Sequence, residues 1–211
     1  MDLPFHVALI LGAHTDDEFG CAGTIARLLE SGVDVHCAAF SRCEESVPPD
    51  FPKDVLETEW RRATARLGIP AENLYLFPFR VRHFPQFRQD ILEQLVLLRK
   101  QIQPDVVFLP SSTDIHQDHG TIAQEGIRAF KHSTVLGYEL PMNTITFRHA
   151  CFVRLEEHHL RAKIDSLMCY ESQAFRNYRS EEFLRGLARV RGVQINTDYA
   201  EAFEVLRWIL K

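Results

Sequence analysis

The sequence predicts an α/β protein built on a mostly parallel sheet with helices on both faces. Two observations predict it. Between residues 5 and 110, short apolar runs of strand length alternate with helical patterns, and strands that are apolar nearly throughout are those covered on both faces. Two of these runs, ending at Leu11 and at Leu109-Pro110, lead straight into dense polar clusters. Sheets of this kind bind ligands beyond the carboxyl ends of their strands.

The elements follow in order. Residues 5–12 read as a first buried strand and 22–31 as a helix, with Gly32 placed to cap it in the left-handed conformation. Residues 33–40 read as a second strand. Residues 41–52, with Pro48-Pro49 and several acids, read as a surface loop. A helix over 53–67 ends at Gly68, a short strand covers 73–77, and 78–85 form a second loop carrying Arg80, Arg82 and His83. Residues 86–103 form a long amphipathic helix with Ile91, Leu92, Leu95, Leu98 and Ile102 on one face, stopped by Pro104. Residues 105–110 are a fourth buried strand. Beyond residue 133 the pattern changes: strands at 135–140 and 150–154, a helix at 156–170, and a helix at 180–191 with Ser180 as its N-cap. Residues 199–208 alternate apolar residues with acids as a strand does, although their composition also allows a helix.

No repeat, low-complexity tract or linker interrupts the chain, so its 211 residues are expected to form one domain, 1–211, with a sizeable core. A net charge of −5 disfavours nucleic acid as the main partner. No apolar run is long enough for a membrane span, and the N-terminus lacks a signal peptide's basic region and cleavage site, so a cytoplasmic protein is expected. Five cysteines without a CxxC spacing fit reduced, buried thiols rather than a disulfide framework.

The first cluster, His14-Thr15-Asp16-Asp17-Glu18, places one imidazole and three carboxylates at a strand end. Such crowding is costly unless something binds it, and a divalent metal is the usual answer, with one carboxylate left for proton transfer. The second, Ser111-Ser112-Thr113-Asp114-Ile115-His116-Gln117-Asp118-His119-Gly120, has two histidines three apart, as His14 and Asp17 are. Residues three apart share a face of a helical turn, so each cluster can aim two groups into one cleft. Two imidazoles and a carboxylate suit zinc, which lowers the pKa of its water to roughly 7, where a free carboxylate can take the proton.

These residues resemble a family. Ala13-His14-Thr15-Asp16-Asp17-Glu18-Phe19-Gly20-Cys21-Ala22-Gly23-Thr24 is similar to the Ala-His-Pro-Asp-Asp-Glu signature of the LmbE-like/PIG-L N-deacetylases, and His116-Gln117-Asp118-His119 to their later His-Pro-Asp-His motif. Lys163 and Tyr170-Glu171-Ser172-Gln173 resemble a downstream segment, and Glu59 to Gly68 fits the helix after the second strand. The likeness runs from residue 5 to residue 175. It implies a Rossmann-like fold and a zinc-dependent enzyme that removes acetyl groups from N-acetylglucosamine-type sugars or their conjugates. By the resemblance, His14, Asp17 and His119 are metal ligands for one Zn2+ (other divalent transition metals would also bind) and Asp16 is the general base. His116, when protonated, stabilises the tetrahedral intermediate or protonates the leaving amine, and Asp118 orients a histidine from the second layer. The partner implied is a small N-acetylated molecule. Relatives that form trimers or hexamers make a homo-oligomer an option.

Three departures mark this chain. Thr15 and Gln117 stand where relatives carry proline, between functional side chains, and should change loop stiffness more than chemistry. Leu56 stands where many relatives carry an arginine that in some contacts substrate, which leaves Arg61, Arg62, Arg80 or Arg82 as substitutes.

Plainer readings exist for each group. Acids are favoured at helix N-termini without any metal, and His116 and His119 alone would pass for an ordinary surface or core pair. Glu18 is expected to bond backbone amides of the glycine-containing turn, Trp60 and Phe84 to be core, and Cys43 to be a bystander. Two other functions compete. One is hydrolysis of another small amide or thiol conjugate. The other is a non-catalytic nucleotide- or metal-binding module, which the acids and the absence of a GxGxxG after the first strand disfavour.

Overall fold

The computed structural model describes residues 4–209. A seven-stranded sheet forms the centre, in the order β3-β2-β1-β4-β5-β7-β6. Strands β1 (Val7–Gly12), β2 (Asp34–Ala39), β3 (Leu74–Leu76), β4 (Val106–Pro110) and β5 (Thr134–Tyr138) run parallel. β7 (Tyr199–Arg207) pairs antiparallel with both β5 and β6 (Cys151–Leu155). The segment whose composition allowed two readings is therefore a strand. It is seated inside the sheet, and pairing on both sides outweighs its weak local preference.

Side chains of a strand alternate between faces, and β1 uses both. Ala8 and Ile10 pack with buried residues of α1 (Ala22–Glu30), α2 (Val55–Leu67), α5 (Glu157–Leu167) and α6 (Glu181–Val193). Leu9 and Leu11 pack on the other face with residues of α3 (Arg88–Ile102) and α4 (Gln117–Ala129). This is why the first strand reads as apolar throughout. Gly32 has φ of 77°, as the cap after α1 requires.

Helix α3 starts at Arg88, two residues later than its apolar pattern suggests, because Phe84–Phe87 form a 3-10 turn that includes Pro85. No helix is expected from the sequence between residues 110 and 135; the spacing of His116 and His119 fits a helical turn, and α4 extends it. Apart from Ile122, its buried face is made of small or polar residues such as Thr121, Ala123, Gly126 and Ala129. A Cβ at Gly126 would lie 2.7 Å from Leu109 Cδ2. At Gly126 the helix packs too close to the sheet for a side chain, and small residues there interrupt the apolar stripe to which the buried Ile122 belongs.

Two buried carboxylates tie the C-terminal third to the first half. Glu201 on β7 accepts from Lys163 Nζ of α5 at 2.6 Å and from the backbone amides of Gly23 and Thr24, at the start of α1, at 3.1 and 2.7 Å. Glu59 on α2 accepts from the Ser172 amide and hydroxyl at 2.8 and 2.6 Å. Trp60 and Phe84 are core. No described helix is long and apolar enough to cross a membrane.

Candidate active site

The strand order reverses between β1 and β4, since β2 and β3 lie to one side and β5 to the other. A parallel sheet leaves a crevice beyond its carboxyl ends at such a point. Both polar clusters open into it. After β1 the chain enters a 3-10 turn, Asp17–Cys21, and after β4 it turns into α4 with His116 as N-cap. The resulting cleft, about 300 Å³, is lined by His14, Asp16, Asp17, His116 and His119 together with Cys43, Leu56, Arg82, Met142, Arg176 and Tyr178. Every residue singled out for catalysis or metal binding thus lies on one cleft. Asp118, fully buried, sits behind it.

Three atoms converge. His14 Nδ1 is 3.0 Å from His119 Nε2, and Asp17 Oδ1 is 3.6 and 3.3 Å from these two nitrogens. Tetrahedral zinc with bonds of about 2.0–2.2 Å holds its ligand atoms roughly 3.3–3.6 Å apart. The two separations from Asp17 fall in that range and the imidazole pair would need to part by a few tenths of an ångström, so this donor set fits. A second triple, His14, His116 and His119, also brings ligand atoms within 4.8 Å of one another.

Hydrogen bonds separate the two triples. His14 Nε2 faces Asp118 Oδ2 at 3.2 Å, and His119 Nδ1 faces Asp114 Oδ2 at 2.7 Å. A carboxylate only accepts, so each of these nitrogens carries a proton, and in the neutral rings that a bound cation requires the lone pairs left are those of His14 Nδ1 and His119 Nε2, the converging atoms. His116 differs. Its Nδ1 accepts from the Asp118 amide at 3.2 Å, which in a neutral ring puts the proton on Nε2 and leaves no lone pair for a cation.

The carboxylates behind the histidines are themselves fixed. Asp118 also accepts from the backbone amides of Arg82 and, at 3.1 Å, Phe84. Arg82 has φ of 69°, in the left-handed part of backbone space, within the turn that directs its N–H at Asp118. Asp114 Oδ1 accepts from the His116 amide at 2.8 Å. Asp17 Oδ2 accepts from the His14 amide at 2.8 Å, which leaves Oδ1 to face the two imidazoles.

The local field favours positive charge where the three atoms meet. Burial works to lower His14 and His119, yet Asp17, with Asp118 behind one ring and Asp114 behind the other, pushes them up to about 9 and about 10. Burial works to raise Asp17, yet the His119 and His14 rings beside it hold its carboxyl well below the usual range. Asp16 goes the other way: burial, then the Asp17 charge, raises it. His116 is lowered to about 4 by burial and by the neighbouring His119 and His14.

Some placements were not foreseen. Asp114 sits in the second cluster, but nothing in the linear order pairs it with His119. Among the arginines proposed to replace the one missing at position 56, Arg82 lines the cleft, although its guanidinium also lies 3.8 Å from Glu45; Arg61 pairs with Glu57, Arg62 with Glu171 and Arg80 with Glu45. Arg176, which no motif marked, lines it as well. Cys43 reaches the cleft wall but is buried, and burial pushes its thiol well up. Glu18 has one backbone amide of the turn, its own, bonded to its carboxyl, and a side chain as well. Its Oε1 lies 2.6 Å from Tyr170 Oη, which is also within hydrogen-bond distance of the Thr15 carbonyl, so the one phenol proton serves one of the two acceptors.

The PIG-L protein-family model, GlcNAc-PI de-N-acetylase, matches residues 9–130. Over 170 residues the chain is 29% identical to an uncharacterized deacetylase, YaiS, of Escherichia coli K12, covering 78% of this chain and 90% of that protein. Among solved structures it resembles the N,N'-diacetylchitobiose deacetylase of Pyrococcus horikoshii, with a TM-score of 0.78 and 22% identity over 96% of this chain and 84% of that one. It also resembles the 4-carboxy-2-hydroxymuconate hydratase GalB of Pseudomonas putida, with a TM-score of 0.78 and 20% identity over 100% and 98% of the two chains.

Proposed function

The chain belongs to the PIG-L family, and from that premise we propose that it hydrolyses the N-acetyl amide of an amino sugar or sugar conjugate, with a zinc ion held by His14, Asp17 and His119. The observation that carries the reading is the pair of imidazoles whose outer nitrogens are taken by Asp118 and Asp114. Their inner nitrogens are left facing each other and Asp17 Oδ1. The hydratase likeness means that the fold by itself does not choose the reaction; the family match and this donor set support the hydrolase.

A bound zinc would supply Lewis acidity toward water and the amide carbonyl. The chain's own residues do the rest. Asp16, on the same cleft and outside the ligand triple, accepts a proton from the attacking water. The water oxygen bonds to the acetyl carbon, and the carbon–nitrogen bond breaks. The proton taken by Asp16 then serves the departing amine, so acetate and free amine leave. His116 offers Nε2–H to the carbonyl oxygen as charge develops there, a task its neutral ring can perform. Asp118 and Asp114 keep His14 and His119 in the tautomers that direct lone pairs inward.

The test is acetate release from a panel of N-acetylated sugars, sugar nucleotides and lipid-linked sugars, with metal content measured on the same sample. Acetate release that a chelator abolishes and zinc restores is the expected result. If no member of the panel yields acetate while other amide or thiol conjugates are cleaved, the sugar assignment is wrong and the hydrolase assignment stands. Tight dinucleotide binding without any hydrolysis would replace both.

Asp114 allows a separate check. Asp114→Ala should weaken zinc binding by about 10–100-fold, since nothing then holds the His119 tautomer. Competition with a chromophoric chelator measures it, and an unchanged affinity would remove Asp114 from the site.

A further inference from the structure

We propose that Tyr178 is a positioning residue that fixes the orientation of the Asp16 carboxylate, an inference that rests on Asp16 being the base. Tyr178 lies beyond the residues the family model matches, in a segment to which no role has been assigned. Its hydroxyl donates to Asp16 Oδ2 at 3.1 Å. Among the described residues no other side chain makes a hydrogen bond to Asp16. Its ring lies flat on Phe19, with centroids 5.3 Å apart and an interplanar angle of 3°. Phe19 and Asp16 belong to one turn, since the Phe19 amide bonds the Asp16 carbonyl at 3.3 Å. Tyr178 therefore grips that turn twice, by its face and by its oxygen.

The segment that carries it is held at both ends. Ser172 is tied to Glu59 of α2 through its amide and hydroxyl. Ser180 caps α6, accepting from the Phe183 amide at 3.1 Å. Between them Arg179 reaches the Met168 carbonyl at 2.7 Å. A ring on so short and anchored a stretch has little freedom to leave Asp16. Burial, then the Asp16 charge, pushes the phenol well up, so the hydroxyl keeps its proton and stays a donor.

The chemical consequence is an asymmetric carboxylate. With Oδ2 tied to Tyr178, Oδ1 remains to receive a proton, and the carboxyl cannot rotate as a free aspartate does. A misplacement of about 1 Å at a reacting group can lower a rate by about 10²-fold.

Tyr178→Phe keeps the ring on Phe19 and removes only the hydroxyl. It is expected to lower kcat by about 10²-fold, with KM and zinc content unchanged. In an Asp16→Asn background the same change should add no further loss, because the carboxylate it orients is gone. A crystal structure of Tyr178→Phe should show the Asp16 carboxyl turned from its wild-type position. That arm needs no turnover, so it decides the inference even if no acetylated sugar proves to be a substrate. An Asp16 carboxyl that stays in place, an unchanged kcat, or a further loss in the Asp16→Asn background would each overturn it.

Discussion

Asp16→Asn should keep zinc at wild-type content and release acetate about 10²–10⁴-fold more slowly, the range a positioned general base contributes. Asp17→Asn should instead lose the metal, and activity with it. The two aspartates are adjacent, yet the fold sends them to different neighbours. Asp17 turns toward His14 and His119, whose charges hold its carboxyl low. Asp16 turns toward Tyr178, and burial with the Asp17 charge raises it. Two carboxyls pushed in opposite directions are suited to opposite tasks: one stays ionised as a ligand, the other is shifted toward holding a proton. Metal analysis and initial rates on the two variants decide it. If Asp16→Asn lost its zinc, or Asp17→Asn retained zinc and activity, the roles would have to be exchanged.

That division of labour was open to the sequence only through family likeness. The sequence itself shows that ionisable groups crowd two strand ends, and the sheet order explains why those ends are neighbours. The strands were legible because both faces of β1 and β4 are covered, which demands apolar residues at every position. The beginning of α4 was legible from the spacing of its histidines, but the rest of the helix was not, because Gly126 and its small neighbours are dictated by contact with Leu109 rather than by helical periodicity.

What escaped was pairing across distance. Asp118 was expected to steady a histidine, and the structure places it behind His14, 104 positions away. Asp114 steadies His119 through a bend in the chain that leaves no mark in composition. Tyr178 reaches Asp16 across 162 positions. Of the arginines proposed to replace the one missing at position 56, Arg82 does line the cleft, and Arg176, which no motif marked, joins it from much further along the chain. Local pattern encodes which face of an element is buried. It does not encode which two elements meet.

The same limit applies to Lys163, which likeness to relatives marked without giving it a task, and there the structure makes a prediction about stability. Lys163→Met should destabilise the fold by roughly 3–5 kcal/mol, the usual effect of removing one partner of a buried ion pair. Lys163 and Glu201 are 4% and 5% exposed, so water cannot replace the lost ammonium. Glu201 would remain buried with only the Gly23 and Thr24 amides as partners. Those amides open α1, where a negative charge is favoured by the helix dipole, but two neutral donors do not compensate a buried carboxylate. Replacing both partners, as Lys163→Met with Glu201→Leu, should recover only part of the loss. The charge problem disappears, yet the two amides at the start of α1 then lack an acceptor, and an unsatisfied buried donor costs about 1–3 kcal/mol. Urea unfolding of the three proteins separates these terms, with a shift in midpoint at unchanged slope reporting stability alone. A single Lys163→Met variant within about 1 kcal/mol of wild type would mean that the pair contributes little to stability. Its place beside the turn that carries Asp16 and Asp17 would then have to be explained by the register of α1 against β7 rather than by the strength of the contact.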